Sequence, residues 1–153
     1  MPPKDFIDFL DLLAKHQCEF IVVGAYAMSA WGYVRATGDL DILISPTQKN
    51  AAVVLEVLTE FGAPLHGVSA EDFAKPATIF QIGVPPIRID LINQLDGVSY
   101  DEAKRTVTHS ILLGRSVPVI SLENLIRNKT TANRPKDQAD VIELKKIKAG
   151  PQK

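Results

Sequence analysis

The sequence predicts an α+β fold in a single domain spanning residues 1–153. Apolar residues recur at helical spacing in several segments, and short apolar runs that end at glycine or proline lie between them. The 153 residues are the length of one ordinary domain, and the hydrophobic fraction of 46% is typical of a globular protein. The sequence contains no internal repeat or low-complexity segment. We therefore expect one domain, with residues 121–148 as its helical C-terminal part.

The first half of the chain alternates between predicted helices and strands. Phe6, Phe9 and Leu13 recur on one helical face, and aspartates occupy the other faces. Apolar runs that end at Gly24 and Pro46 predict buried strands, and each is followed by a segment of helix-forming residues. In chain order the predicted elements are a helix over 4–16, a strand over 20–23, a helix over 25–31, a strand over 39–45 and a helix over 48–61 capped by Thr47.

The second half predicts two hairpins and three helices. Residues 63–76 predict a loop with room for one helical turn. Apolar runs on either side of Pro85-Pro86 and of Gly114-Arg115 predict the hairpins, and Pro135 is suited to the first turn of the last helix. In chain order we expect strands over 77–82 and 87–92, a helix over 100–104, strands over 106–113 and 117–120, a helix over 122–131 and a final helix from residue 135.

Composition excludes several classes of protein. Cys18 is the only cysteine, which excludes an internal disulfide framework and a multi-cysteine zinc site. The longest stretch without a formal charge, residues 20–34, contains two glycines and is shorter than the roughly 18 apolar residues that a membrane span needs. Asp5, Asp8 and Asp11 interrupt the apolar residues of the N-terminus, which is unlike a signal peptide. We expect a cytoplasmic protein without a membrane partner.

Charge is balanced overall but unevenly distributed. The chain has 17 basic and 18 acidic residues, whereas residues 127–153 carry eight basic and three acidic ones, a net charge of +5. Such an asymmetry indicates contact with an anion such as a phosphate or a nucleic acid, or else a solvated lysine-rich helix. The sequence leaves both interpretations open.

A strand, a glycine, a helix and then Asp-x-Asp form the most informative segment. Backbone N–H groups at the start of a helix bind phosphate oxygens, and Gly24 at that point permits close approach. Asp39 and Asp41 are two residues apart on a predicted strand, so both project from the same face. Adjacent carboxylates repel each other unless a cation lies between them, and ligands that are all oxygen suit Mg²⁺ or Mn²⁺.

A third carboxylate completes the candidate metal site. The strand over residues 87–92 alternates over its first five residues, which places Asp90 on the face opposite Ile87, Ile89 and Leu91. If this strand neighbours that of Asp39 and Asp41, three carboxylates can hold two divalent ions. Arg88 shares the face of Asp90, but we expect it only to pair with that carboxylate and leave it out of the predicted site.

Further motifs accompany this pattern. They are Gly32-Tyr33-x-Arg35-x-Thr37 before the first aspartate, and Leu125-Ile126-Arg127-Asn128-Lys129 and Arg134-x-x-Asp137-x-x-Asp140 near the C-terminus. Together with the strand, glycine, helix and Asp-x-Asp order, they resemble the DNA polymerase beta-like nucleotidyltransferase superfamily. The likeness is to its small bacterial and archaeal members, including those of toxin–antitoxin and abortive-infection systems. The resemblance covers most of the chain and implies a mixed, palm-like sheet with flanking helices.

The resemblance also implies roles for individual residues. Asp39 and Asp41 would bind both metal ions, and Asp90 would bind the catalytic ion and help to activate an acceptor hydroxyl. Gly24 would cradle the phosphates of a nucleoside triphosphate, with ATP as the expected nucleotide. The chain departs from the family at Ala25, which replaces a second glycine or a serine and lacks its hydroxyl.

Basic residues outside the strands are secondary candidates. Arg35 precedes Asp39 in a loop and could clamp a phosphate or balance the aspartates from outside. Lys129 would contact the triphosphate if the basic C-terminal part folds back on the site. Asp137 and Asp140 lie in the first turns of the last predicted helix, where acidic residues interact favourably with the helix dipole. We assign those two a structural role.

Two functions remain open at this point. The first is a metal-dependent nucleotidyltransferase that moves a nucleoside monophosphate from a nucleoside triphosphate to a hydroxyl, with pyrophosphate leaving. The second, prompted by Ala25, is a catalytically weak or inactive nucleotide-binding or partner-binding module of the same fold. In either form the chain could belong to a toxin–antitoxin pair, with RNA or a protein as the acceptor.

Overall fold

The computed structural model describes residues 4–35, 38–84 and 87–150. Its helices and strands follow the order expected of an α+β protein. They are α1 (Lys4–Lys15), β1 (Phe20–Val23), α2 (Gly24–Ala30), β2 (Asp39–Ile44), α3 (Gln48–Phe61), a 3₁₀ helix (Ala70–Ala74), β3 (Ile79–Val84), β4 (Ile87–Ile92), α4 (Tyr100–Arg105), β5 (Thr108–Leu112), β6 (Arg115–Val119), α5 (Leu122–Ala132) and α6 (Pro135–Ala149). None of the helices within the described residues is long and apolar enough to cross a bilayer.

The strands form one mixed six-stranded sheet in the order β3-β4-β2-β1-β6-β5. β1 pairs with β2 antiparallel and with β6 parallel, and β2 pairs with β4 parallel. The two predicted hairpins, β3–β4 and β5–β6, form antiparallel pairs at opposite edges of the sheet. The predicted α+β class with a mixed sheet and flanking helices is therefore confirmed.

Strand boundaries differ from the prediction where the backbone turns. β3 begins at Ile79 rather than residue 77, because Ala77 has a φ of 58° and the Thr78 hydroxyl donates to the carbonyls of the preceding 3₁₀ segment. The second hairpin turns at Leu113 and Gly114, with φ values of 52° and 79°, and so β6 begins at Arg115. The turn expected at Pro85-Pro86 lies outside the described residues.

In the core, helices pack against the sheet, and the burial of side chains increases along β2. Its last three residues are buried, whereas Asp39 and Asp41 at its start are only half-buried. The indole Nε1 of Trp31 donates to the carbonyl of Ile120 at 2.9 Å and ties the end of α2 to the end of β6. The C-terminal half of β2 is thus buried in the core, whereas the start of β2, where the aspartates lie, remains partly exposed.

The C-terminal helices pack against each other around a buried ionic cluster. Asp137 and Asp140 of α6 are 0% and 2% exposed. Asp137 accepts hydrogen bonds from the backbone and guanidinium of Arg134, and Asp140 accepts one from Arg35 at 2.7 Å. Lys129 of α5 lies 3.4 Å from both carboxylates. The structural role expected for the two aspartates includes these buried ion pairs as well as the start of the helix.

We predict that Asp137→Asn lowers the free energy of unfolding by about 2 kcal/mol at neutral pH, the scale of charge-assisted hydrogen bonds. Burial opposes ionisation of Asp137, but the hydrogen bonds from Arg134 and the charge of Lys129 outweigh it and lower its pKa from 3.8 to about 2. Because this pKa is lowered, the stabilisation is complete above pH 3.8 and is lost as the pH falls towards 2.

Urea unfolding of both proteins between pH 7 and pH 2 measures this effect. The difference between wild type and variant should shrink below pH 4. Asp101→Asn is the matched control, because Asp101 lies in the first turn of α4 but is exposed. A pH-independent difference, or an equal loss in the control, would contradict the role of the buried pairs.

Candidate active site

The pairing of β2 with β4 brings three predicted site residues together. In the parallel register Asp41 lies opposite Asp90, and Asp39 lies opposite Arg88. Residues two apart on a strand share a face, and residues directly opposite in neighbouring strands share it as well. All four side chains therefore project from the same face of the sheet.

Gly24 lies against the carboxylate of Asp41. Val23, the last residue of β1, pairs with Asp41, so that the chain enters α2 directly beside this side chain. Gly24 has a φ of 70°, and a Cβ built on it would overlap Asp41 Oδ2 and lie 3.0 Å from Asp41 Cβ. Glycine is required here both by the backbone angle and by the space that the carboxylate occupies.

These residues line a cleft of about 610 Å³ between the sheet and the C-terminal helices. On the sheet side are Asp39, Asp41, Asp90 and Arg88, and on the helical side are three cations. The three cations are Lys129, Arg134 and Lys136. The cleft therefore has carboxylates on one wall and cations on the other.

The surroundings of Asp41 disfavour its ionised form. Burial and the neighbouring charges of Asp90 and Asp39 raise the pKa of Asp41 to about 6, against the opposing effect of Lys129 and Arg88. A raised carboxyl pKa means that the ionised form is disfavoured in this arrangement. Each of these neighbours is thus close enough for its charge to act on Asp41.

Arg88 occupies the centre of this cluster. Its guanidinium donates to both oxygens of Asp90, at 2.7 and 3.0 Å, and to Asp39 Oδ2 at 3.2 Å. The expectation that Arg88 pairs with Asp90 is confirmed, and its side chain also lines the cleft beside the predicted site residues. Its spacing from Asp90 was the available signal, but the contact with Asp39 depends on the register between strands.

The three aspartates suit a divalent cation in chemistry, but Arg88 binds two of them, Asp39 and Asp90, in this arrangement. Their ligand atoms are all oxygen and carry excess negative charge, which is what Mg²⁺ and Mn²⁺ prefer. Within the described residues, no group of three or more histidine, cysteine, aspartate or glutamate side chains is arranged to hold a metal ion. Three of the oxygens in this group, both of Asp90 and Oδ2 of Asp39, accept hydrogen bonds from Arg88 here.

The two basic candidates, Lys129 and Arg35, lie in different surroundings in the structure. Lys129 lines the cleft with its side chain 12% exposed, so the C-terminal helices do fold back on the sheet. Arg35 is not among the lining residues, because its guanidinium pairs with buried Asp140. Its position does not support the predicted phosphate contact and corresponds to the alternative of a charge outside the site. Thr37 of the same motif lies outside the described residues.

Ala25 does not line the cleft either, and its side chain packs against the hydrophobic core. Unlike Gly24, it is not among the residues with a positive φ. The backbone at this position therefore does not require glycine, and the departure from the family pattern removes a hydroxyl without altering the path of the chain.

The loop after β4, which the sequence analysis did not indicate, connects the sheet to the helical wall of the cleft formed by α5 and α6. Asp96, which follows β4, lines the cleft, and its carbonyl accepts a hydrogen bond from Asn128 at 3.0 Å. A Cβ on Gly97 would overlap the side chain of Thr131, so the loop lies directly on α5. Asn128 belongs to the motif over residues 125–129, but no local pattern indicates that it binds the carbonyl of a residue 32 positions away.

The family of the chain follows from its sequence as a whole. Residues 4–151 match the model of the family described as nucleotidyl transferase of unknown function, DUF2204. The chain belongs to this family, which confirms the resemblance to the nucleotidyltransferase superfamily. No curated protein matches the sequence significantly.

Solved structures of low sequence identity share the fold. A protein of Thermotoga maritima described as a nucleotidyltransferase has a TM-score of 0.62 at 14% identity, covering 94% of this chain and 91% of that one. The lincosamide antibiotic adenylyltransferase LnuA, bound to lincomycin, has a TM-score of 0.61 at 15% identity over 96% and 98% of the two chains. ANT(2'')-Ia in complex with adenylyl-2''-tobramycin has a TM-score of 0.60 at 14% identity over 94% and 91%.

We predict that Gly24→Ala destabilises the protein by at least about 1 kcal/mol more than Gly62→Ala. Both glycines have a positive φ, 70° and 84°, which costs an L-residue about 1–2 kcal/mol. Only at Gly24 does the added Cβ also overlap another side chain, since nothing lies within 4 Å of the Cβ position at Gly62. Thermal or urea unfolding of the two variants measures the difference, and equal losses would contradict the contact with Asp41.

Proposed function

We propose that the protein is a metal-dependent nucleotidyltransferase that transfers a nucleoside monophosphate from a nucleoside triphosphate, with ATP expected, to a hydroxyl acceptor. The observation that carries the proposal is the meeting of Asp39, Asp41 and Asp90 on neighbouring strands, opposite the cations of α5 and α6. Membership of the nucleotidyl transferase family supports the general reaction.

The carboxylates supply the metal-binding side of the proposal. Asp39, Asp41 and Asp90 would hold two ions, Mg²⁺ or Mn²⁺, which would neutralise phosphate charge and lower the pKa of the attacking hydroxyl. Asp90, the most enclosed of the Arg88 partners with 13% of its side chain exposed, would orient that hydroxyl. Gly24 keeps the space next to Asp41 free of a side chain.

The helical wall supplies the phosphate-binding side. Lys129 faces the cleft as a cation held by two buried carboxylates, and Arg134 and Lys136 lie on the same wall. The backbone at Gly24 and Ala25, where α2 begins, would take part of the triphosphate, as the resemblance implies. In the reaction the acceptor hydroxyl would lose its proton to Asp90 or to water, and its oxygen would bond to the α-phosphorus. The bond from the α-phosphorus to the β-phosphate oxygen would break, and pyrophosphate would leave with its charge balanced by these cations.

The similar solved structures and the charge of the chain indicate which classes of acceptor to test. Two of the neighbours are structures with lincomycin or an adenylylated tobramycin, so this fold can serve small hydroxylated acceptors. The basic C-terminal part keeps RNA, or a protein from a toxin–antitoxin pair, among the acceptors to be tested. Incubation with ATP labelled at the α-phosphate, followed by separation of small molecules, RNA and protein, distinguishes these classes.

We predict that Asp41→Asn lowers nucleotidyl transfer by at least about 100-fold, the scale of removing one preorganised electrostatic group. Because burial and neighbouring charges raise the pKa of Asp41, the neutral asparagine should leave the free energy of unfolding unchanged or higher at pH 7. Release of pyrophosphate and unfolding by urea measure the two effects. Asp5→Asn, an exposed change in α1, is the control, and undiminished turnover of the Asp41 variant would reject the proposal.

Metal-dependent binding is tested separately from catalysis. Calorimetric titration with ATP should show binding in the presence of Mg²⁺ and its loss on addition of EDTA. Binding that does not need the metal would contradict the role of the aspartates.

We predict that Ala25→Ser changes the rate of transfer by less than about ten-fold. The backbone at Ala25 has no need of glycine, and its side chain lies outside the cleft, so a restored hydroxyl is not placed to complete the site. Steady-state assays of both proteins measure this, with Ala30→Ser in the same helix as the control. A gain well above ten-fold would favour the alternative of a catalytically weak module whose activity was lost at this position.

A further inference from the structure

The contact of Arg88 with the aspartates has the geometry of a specific binding interaction. Its Nε and Nη2 bind the two oxygens of Asp90 as a fork, at 2.7 and 3.0 Å, and Nη2 also reaches Asp39 Oδ2. The side chain is only 22% exposed. Charge-assisted, two-pronged pairs of this kind are stronger than neutral hydrogen bonds and fix the orientation of both groups.

The backbone holds this guanidinium at the cluster, on the central one of three paired strands. Arg88 pairs with Asp39 on the β2 side and with Gly83 on the β3 side. Directly opposed residues share a face of the sheet, and Gly83 offers no side chain there. No side chain of Gly83 therefore packs against Arg88 from the β3 side.

A divalent cation and the guanidinium compete for the same oxygens. Each hydrogen bond from Arg88 occupies an electron pair of Asp39 or Asp90 that is then not free to bind a metal ion. The positive charge of Arg88 also repels an arriving cation. One guanidinium among three carboxylates leaves the cluster negative, so a divalent ion is still attracted. The bond that the ion forms must then offset the loss of the Arg88 pairs.

We propose that Arg88 is an internal counter-cation that a divalent metal ion must displace from Asp39 and Asp90. This inference rests on the proposed function, because it assumes that the aspartates bind metal. Arg88 weakens binding of metal to the nucleotide-free protein and stabilises the carboxylates when metal is absent. Metal ions then occupy the site mainly together with the phosphates that offset the loss of this ion pair.

The test is direct titration with Mn²⁺ in the absence of nucleotide, followed by electron paramagnetic resonance of the free ion. Arg88→Gln should bind Mn²⁺ at least about ten-fold more tightly than wild type, the effect of removing one like charge at close range. Arg115→Gln is the matched control, because Arg115 makes a similar fork to Asp11, at 2.7 and 3.1 Å, outside the cleft. Its Mn²⁺ affinity should equal that of wild type.

Thermal unfolding gives a second readout that a purely structural role would not produce. Without metal, Arg88→Gln should unfold at a lower temperature than wild type, because Asp39 and Asp90 lose the hydrogen bonds and the charge of Arg88. Added Mn²⁺ should raise its unfolding temperature more than that of wild type or of Arg115→Gln. If Arg88→Gln does not fold, Arg88→Lys replaces it, since lysine keeps the charge but not the fork and should give a smaller gain in affinity.

The outcomes separate this inference from the proposed function. Equal Mn²⁺ affinity of wild type and Arg88→Gln, with weaker binding by Asp41→Asn, would overturn the role of Arg88 and leave the metal site in place. Failure of every variant to bind Mn²⁺ would overturn the proposed metal site and this inference with it. Tighter binding by Arg88→Gln that Asp41→Asn abolishes in the double variant would support both.

Discussion

The parallel register between β2 and β4 is the constraint on which the candidate site depends. Five residue pairs join the two strands, and they place Asp41 beside Asp90 and Asp39 beside Arg88. A shift of one residue would turn one set of side chains to the opposite face of the sheet. The buried residues Leu40 and Ile42 on the other face oppose such a shift, because it would expose them. Core packing thereby holds the charged cluster in position.

Partial neutralisation of the carboxylates by Arg88 makes this cluster compatible with a folded domain. Arg88 offsets part of the repulsion among the carboxylates, yet Asp41 still has a raised pKa because burial and two neighbouring charges disfavour its ionised form. The site therefore retains electrostatic strain that a further cation would relieve. Strain of this kind is common at functional sites, where stability is given up for binding.

The helical wall is held by contacts that are independent of the sheet register. Asp137 and Asp140 are buried beside Lys129, and Asn128 fastens the loop after β4 to α5. The buried carboxylates orient a cation that faces the cleft.

The sequence by itself determined the features that depend on short spacing. Periodicity predicted the α+β class and most helix and strand positions, and the alternation of Asp39, Asp41 and Asp90 placed each carboxylate on its strand. Only the tertiary structure decided which residues meet. The Arg88–Asp39 pair joins residues 49 positions apart, and the Arg35–Asp140 pair, which takes Arg35 away from the cleft, joins residues 105 apart. Such contacts follow from strand register and helix packing. Both depend on the burial of many residues together, so no local pattern encodes these contacts.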